Sequence, residues 1–271
     1  KRLYANDPTT RHNLRLFVRG DSYHFCGMLR GQRHLVGIDE GHRFHLFGTD
    51  TQGRDLLSRI IYASRISLTI GFVGVALSFT IGIVLGAISG YFGGLADIVI
   101  QRIIEVLISI PSLPLWMALS VAIPLTWSVH AVFFIITVIL SLTGWTEMAR
   151  VVRGKCLALR DEEFVVAART AGAGPGRVMF RHLVPSFLSH IIAMATLAVP
   201  GMILGETALS FLGIGMRPPA ISWGVLLKDA QSIQALSFMP WLLIPGGFVV
   251  VIVLAFNFLG DVMRDAADPH D

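Results

Sequence analysis

Residues 66–92 contain no charged side chain, and that run limits what the chain can fold into. A helix needs about 20 mostly apolar residues to cross the roughly 30 Å hydrocarbon layer of a bilayer. Four further stretches have this character, 98–123, 129–145, 185–204 and 241–259. Lipid offers no partner to backbone N–H and C=O groups, so spanning segments are helices or closed barrels. The ten-residue alternation of barrel strands is absent. Composition agrees: 54% of the 271 residues are hydrophobic and 15% are charged, against about 25% charged in soluble domains. The expected fold class is all-α integral membrane, with five spans in this chain.

Orientation follows from the connections. The segment 150–183 holds Arg150, Arg153, Lys155, Arg160, Arg169, Arg177 and Arg181, and short loops rich in Arg and Lys stay in the cytoplasm. Parity then places the turn at 93–97 inside, residues 1–65 outside, the 206–240 connection outside and the tail 263–271 inside. The expected organisation is an extracytoplasmic segment 1–65, a membrane domain 66–262 and that short cytoplasmic tail. Residues 1–65 carry eleven Lys or Arg, which runs against the charge rule, but the rule weakens for segments longer than about 60 residues. A polar stretch of this length does not cross a membrane unaided. A sixth span upstream of Lys1 is therefore expected, with both ends of the protein inside. Cys26 and Cys156 fall on opposite sides and form no disulfide.

Within the spans, Gly74, Ser78, Gly82, Gly86 and Gly90 recur at four-residue spacing. Small residues at this spacing let two helix backbones approach closely, and the stripe predicts a packing face without saying which helix it meets. Pro111 and Pro114 interrupt the second span. An interior proline removes a backbone hydrogen bond and kinks a helix, so this span is expected to bend, and the bend is a candidate gate. Arg102 and Glu105 stand one turn apart in the same span, His190 lies in the fourth, and Glu206 at its end is a candidate pore or gate residue. No acid sits at a clear midplane position, which argues against an ion-coupled carrier. Neither H-E-x-x-H nor another nucleophile or metal cluster marks an intramembrane enzyme. The net charge of +4 is modest and its basic residues are interleaved with acids, so nucleic acid is not an expected partner.

The segment 161–171 reads as a short helix. Acids stand at its start, where the helix dipole favours them. Ala167, Ala168 and Ala171 give it a flat face, and Gly172 stops it. A helix this short is not stable alone in water, so a partner surface should cover it.

The run EFVVAARTAG from Glu163 to Gly172, continued through Ala173 to Pro185, resembles the E-A-A-x-x-x-G-x(9)-I-x-L-P loop of ABC importer permeases. Ala167, Ala168, Gly172 and Pro185 are in register; Val166 stands where that family has glutamate and His182 where it has isoleucine. GTDTQGRDLLSR from Gly48 to Arg59 resembles the G-T-D-x-x-G-R-D-x-x-S-R signature of the C-type subunit of dipeptide and oligopeptide permeases. ETALSFLG from Glu206, RPP from Arg217 and FNFLGD from Phe256 are similar to the same subgroup. Residues 12–37 and RDAADP from Arg264 look closest to its oligopeptide and microcin-like branch. The resemblance implies a type I ABC importer transmembrane domain in a bacterial inner membrane. It implies four kinds of partner: a second homologous permease subunit, two ABC ATPase subunits, an extracytoplasmic binding protein and the bilayer. Glu163, Phe164, Val165, Val166, Ala167, Ala168, Arg169, Ala171, Gly172 and Ala173 would then form the element that couples to an ATPase. The chain would carry no catalytic residue, metal or cofactor, and ATP and Mg would sit on the partner ATPases. No G-x-x-x-x-G-K-[ST] phosphate loop occurs in the sequence. Peptides are the expected cargo; nickel importers share much of the signature and are the alternative.

Overall fold

In the computed structural model, the described residues are 44–267 together with five short strands before them. β1 (Arg15–Arg19), β2 (Ser22–Cys26), β5 (Gly37–Asp39) and β6 (Phe44–His45) form an antiparallel sheet in the order β1-β2-β5-β6, and β3 (Met28–Leu29) pairs with β4 (Gln32–Arg33). This small sheet was not foreseen from the sequence. The side chain of Cys26 lies outside the described residues.

Long helices follow: α1 (Leu56–Phe92), α4 (Val129–Leu159), α8 (Leu188–Phe211) and α11 (Ile244–Ala267). Each is long and apolar enough to cross a membrane, α11 together with the 3₁₀ turn Pro240–Leu243 that leads into it. Their apolar centres coincide with the expected spans, but the helices run on into polar sequence. α1 starts at Leu56 rather than 66, because the Asp55 carboxylate accepts from the Ser58 N–H at 2.8 Å and caps it there. α4 continues through the basic residues to Leu159.

The glycine stripe meets α4 of the same chain. Ser78 Oγ donates to the Ser141 carbonyl at 3.4 Å, 63 residues on. The same interval pairs Gly82 with Trp145, Gly86 with Ala149 and Gly90 with Arg153: a Cβ on these three glycines would stand 2.7, 2.5 and 2.7 Å from the facing carbonyl oxygens. A constant interval means parallel helices with backbones in contact, the arrangement small residues permit.

That parallel register decides how residues 94–128 run. α1 ends at Gly93, beside Arg160, while by the same interval the start of α4 at Val129 is level with Ile66. The intervening chain must climb back about 40 Å at 1.5 Å per residue. It does so through α2 (Gly94–Ser109) and α3 (Ser112–Val121), bent by 84° at their junction, together with the turn 122–128. This corrects the expectation of one kinked helix: the second span is broken. Pro111 biases the residue before it towards extended backbone, and Ile110 adopts φ −92°, ψ 123°. Pro111 becomes the cap of α3 and Pro114 falls in its first turn.

α8 runs antiparallel to α1, with Ser67 against Glu206 and Gly71 against Ile203. α11 runs antiparallel to α8, with Leu197 against Gly260 and Thr196 against Met263. The five crossings therefore alternate in direction. One end of the bundle carries Gly93, the end of α4 and the segment 160–187. The other carries residues 44–55, the turn 122–128 and the connection 212–243, which contains α9 (Trp223–Lys228) and α10 (Ile233–Phe238).

Candidate functional site

At the first end, α5 (Glu163–Thr170) is the short helix expected from the sequence, two residues later in its start. It is followed by α6 (Pro175–Arg177), a π-helical turn Val178–Leu183 and α7 (Val184–Ser186). Gly172 has φ +81°. Ala173 N–H donates to the Ala168 carbonyl and Gly172 N–H to that of Arg169, at 3.0 and 2.9 Å. These two bonds are the Schellman stop, which favours a residue tolerant of positive φ.

The helix is held to the bundle on one side only. Val165 is fully buried and joins the main core with Val178 and Leu183. The Arg169 guanidinium lies 4.9 Å from the Tyr91 ring centre at the end of α1, a cation–π contact. Glu163, Phe164, Val166, Ala167 and Ala171 face outward, and Ala168 and Ala173 are half-buried. Phe164 and Val166 are 43% and 44% exposed. The two-turn helix thus presents apolar side chains outward and is anchored to the bundle on its other side. Beside it, Asp97 at the start of α2 accepts from both Nε and a terminal nitrogen of Arg153, at 2.5 and 2.6 Å. This bidentate pair ties the broken span to α4. Charge counting identified Arg153 only as a basic loop residue, and nothing in the local sequence pointed to Asp97 as its partner.

At the opposite end lies Glu206, the candidate pore or gate residue of the sequence. It is fully buried. Its two carboxyl oxygens accept from Ser210 Oγ at 2.7 Å and Ser67 Oγ at 3.3 Å. Each hydroxyl in turn accepts from a backbone N–H of the 212–243 connection, Met216 onto Ser210 at 2.8 Å and Trp223 onto Ser67 at 3.2 Å. One side chain thereby links α1, α8 and the connection. Pro111 and Pro114 are exposed on the surface of the bundle.

The GTDTQGRD signature has a local structural meaning here. Asp50 Oδ1 accepts from the backbone N–H of Gln52 and Arg54 at 2.8 and 2.9 Å, and Oδ2 accepts from the guanidinium groups of Arg54 and Arg59. Arg59 also lies 3.9 Å from Asp229 after α9, and Trp241 Nε1 donates to the Thr49 carbonyl at 2.9 Å. Burial works against ionisation of Asp50, but the hydrogen bonds from Arg54 and Gln52 and the charge of Arg59 outweigh it and hold its carboxyl below the usual range. A lowered carboxylate contributes stability that is complete above its unfolded-state value and is lost as pH falls through the folded-state one. Thermal unfolding in detergent should therefore show wild-type stability falling in the acid range, with that component missing in Asp50→Asn. At neutral pH Asp50→Ala should cost up to about 3 kcal/mol, because it takes the close carboxylate from buried Arg59 and leaves it only Asp229, 3.9 Å away.

Among the described residues no group of three His, Cys, Asp or Glu could hold a metal ion. Residues 82–270 match the family described as the binding-protein-dependent transport system inner membrane component. The oligopeptide transport system permease protein OppC of Haemophilus influenzae is 42% identical over 229 residues, 84% of this chain and 71% of the relative. The dipeptide transport system permease protein DppC of Alkalihalophilus pseudofirmus is 41% identical over 226 residues, 83% of this chain and 72% of the relative. Among solved structures, an inward-facing MetNI methionine ABC transporter superposes with a TM-score of 0.57 at 20% identity, covering 79% of this chain and 98% of that one, which establishes a shared fold. The chain is a multi-pass membrane protein and belongs to the binding-protein-dependent transport system inner membrane component family.

Proposed function

We propose that this chain is one permease subunit of an ATP-driven importer in a bacterial inner membrane and forms half of a translocation pore for peptides. The observation that carries this reading is α5, a helix too short to persist alone, anchored through Val165 and Arg169 and offering Phe164 and Val166 outward. On this reading 150–183 faces the cytoplasm and 206–240 the outside. Glu163 through Arg169, with Ala171, Gly172 and Ala173, meet one of two ATPase subunits that bind ATP and Mg. A movement of α5 reaches α1 through Tyr91 and α4 through the packed core. The exposed Arg102–Glu105 pair on α2, 2.6 Å apart, would be costly against lipid, so that face meets the second permease subunit or the water of the pore. The relatives' names, oligopeptide and dipeptide permeases, support peptides as cargo delivered by an extracytoplasmic binding protein.

Ala168→Asp and Gly172→Arg test it. A carboxylate at half-buried Ala168 would be trapped under the ATPase, where an unpaired charge is strongly disfavoured. A Cβ on Gly172 would touch nothing within 4 Å, so the cost there is conformational, about 1–2 kcal/mol for a left-handed residue, with an arginine added to the docking face. Both variants should reach normal membrane abundance, lose the ATPase subunits on co-purification and take up no peptide. Purified complexes that keep every subunit and hydrolyse ATP normally in response to loaded binding protein would sink the assignment.

A further inference from the structure

At the outer end of the bundle a cleft opens between the end of the broken span, the start of α4 and the segment 214–220. Apolar side chains, Ile123, Trp127, Val132 and Pro219 among them, share its walls with polar surface, and Arg217 is the single charged residue in the lining. Arg217 is half-buried, and its side chain has no ion-pair or hydrogen-bond partner among the described residues. Its backbone is fixed: Met216 N–H is held by Ser210 Oγ, Gly215 N–H by the Leu209 carbonyl at 2.9 Å, and Ala220 N–H donates to the Arg217 carbonyl at 2.9 Å. The cleft holds about 170 Å³, room for one large side chain and too little for a whole peptide. A guanidinium presents a planar fork matched to a carboxylate, and here it belongs to a cleft of single-residue size that Ile123, Trp127 and Val132 also line. The chemistry that fills both halves is an apolar side chain with a carboxylate one bond from its Cα.

We propose that this cleft receives the C-terminal residue of an incoming peptide, with its side chain among Ile123, Trp127 and Val132 and its α-carboxylate on Arg217. The proposal rests on the peptide-permease reading above. It gives the pore mouth a first contact with cargo leaving the binding protein, at the outer end of the span that is broken at Pro111.

The test uses the complete transporter in lipid vesicles, with its partner permease, both ATPases and binding protein in excess over its measured Kd for each peptide. Uptake of Ala-Ala-Leu is compared with that of the same tripeptide as a C-terminal amide, for wild type, Arg217→Gln and Arg217→Lys. Losing one charge-assisted contact should lower uptake of the free acid by Arg217→Gln about tenfold, leave the amide unchanged and leave ATP hydrolysis stimulated by loaded binding protein intact, with Arg217→Lys in between. Equal losses for acid and amide would overturn the proposal and place Arg217 against an acidic side chain of the binding protein. No loss for either would overturn it as well. A wild-type transporter that takes up neither peptide would instead defeat the peptide reading, and this inference with it.

Discussion

Gly86→Ala is expected to destabilise the protein by about 1–3 kcal/mol, and Gly86→Leu to remove it from the membrane fraction. Ordinarily a glycine-to-alanine change inside a helix is favourable by about 0.5–1 kcal/mol. Here the added Cβ would stand 2.5 Å from the Ala149 carbonyl oxygen and 2.9 Å from the Val152 Cβ, so two backbones must separate. Overpacking of this kind costs about 1–3 kcal/mol, and more as the side chain grows. The clash cannot be relieved locally. Gly82 and Gly90 hold the same two helices at the same distance on either side, so opening the seam at Gly86 strains both. Gly154 supplies the control, because a Cβ there meets nothing within 4 Å. Membrane abundance and thermal unfolding in detergent should rank Gly154→Ala at or slightly above wild type, then Gly86→Ala, then Gly86→Leu. Equal behaviour of the two alanine variants would show that the α1–α4 seam does not bear on stability.

The stripe also shows what sequence could and could not reveal. Four-residue spacing of small residues identified a face where backbones touch, because that spacing is a property of one helix. The partner was not legible, because the interval of 63 residues to α4 is a property of two. The apolar runs located the spans for the same local reason, and Val129 marks the start of α4 in both readings. Helix ends were missed where caps and tertiary packing extend a helix into polar sequence, as at Asp55 and after Trp145. Pro111 and Pro114 signalled a distortion, but a kink and an 84° break begin with the same lost hydrogen bond. Which of them occurs depends on whether Ile110 turns extended. Gly172 was readable because its role is local: a short helix ends there in the left-handed region. Glu206 was not. A carboxyl group at a span end looks like a pathway residue until Ser67 and Ser210, small residues 139 and 4 positions away, are seen to enclose it.

Glu206→Ala should therefore act first on structure where the 212–243 connection meets α1 and α8, and only through it on transport. The variant removes the acceptor of two buried hydroxyl donors, Ser67 and Ser210, and leaving a buried donor unpaired costs about 1–3 kcal/mol each. Those hydroxyls also hold the backbone at Trp223 and Met216, so the 212–243 connection should loosen from α1 and α8. A total loss of about 3–5 kcal/mol is expected in detergent unfolding, with faster proteolysis confined to that connection and little change in protection of α5 at the other end. Glu206→Gln keeps the shape and one acceptor oxygen but turns an amide N–H₂ towards a hydroxyl whose hydrogen then has lost its acceptor, so it should lose about half as much. Glu206→Asp keeps both oxygens on a shorter stem that cannot reach Ser67 and Ser210 together, and should fall between Gln and Ala. A gate lining an open pathway would respond differently. There, alanine would change the rate or selectivity of uptake with unfolding temperature and proteolysis unaltered, and that pattern would return Glu206 to the pore.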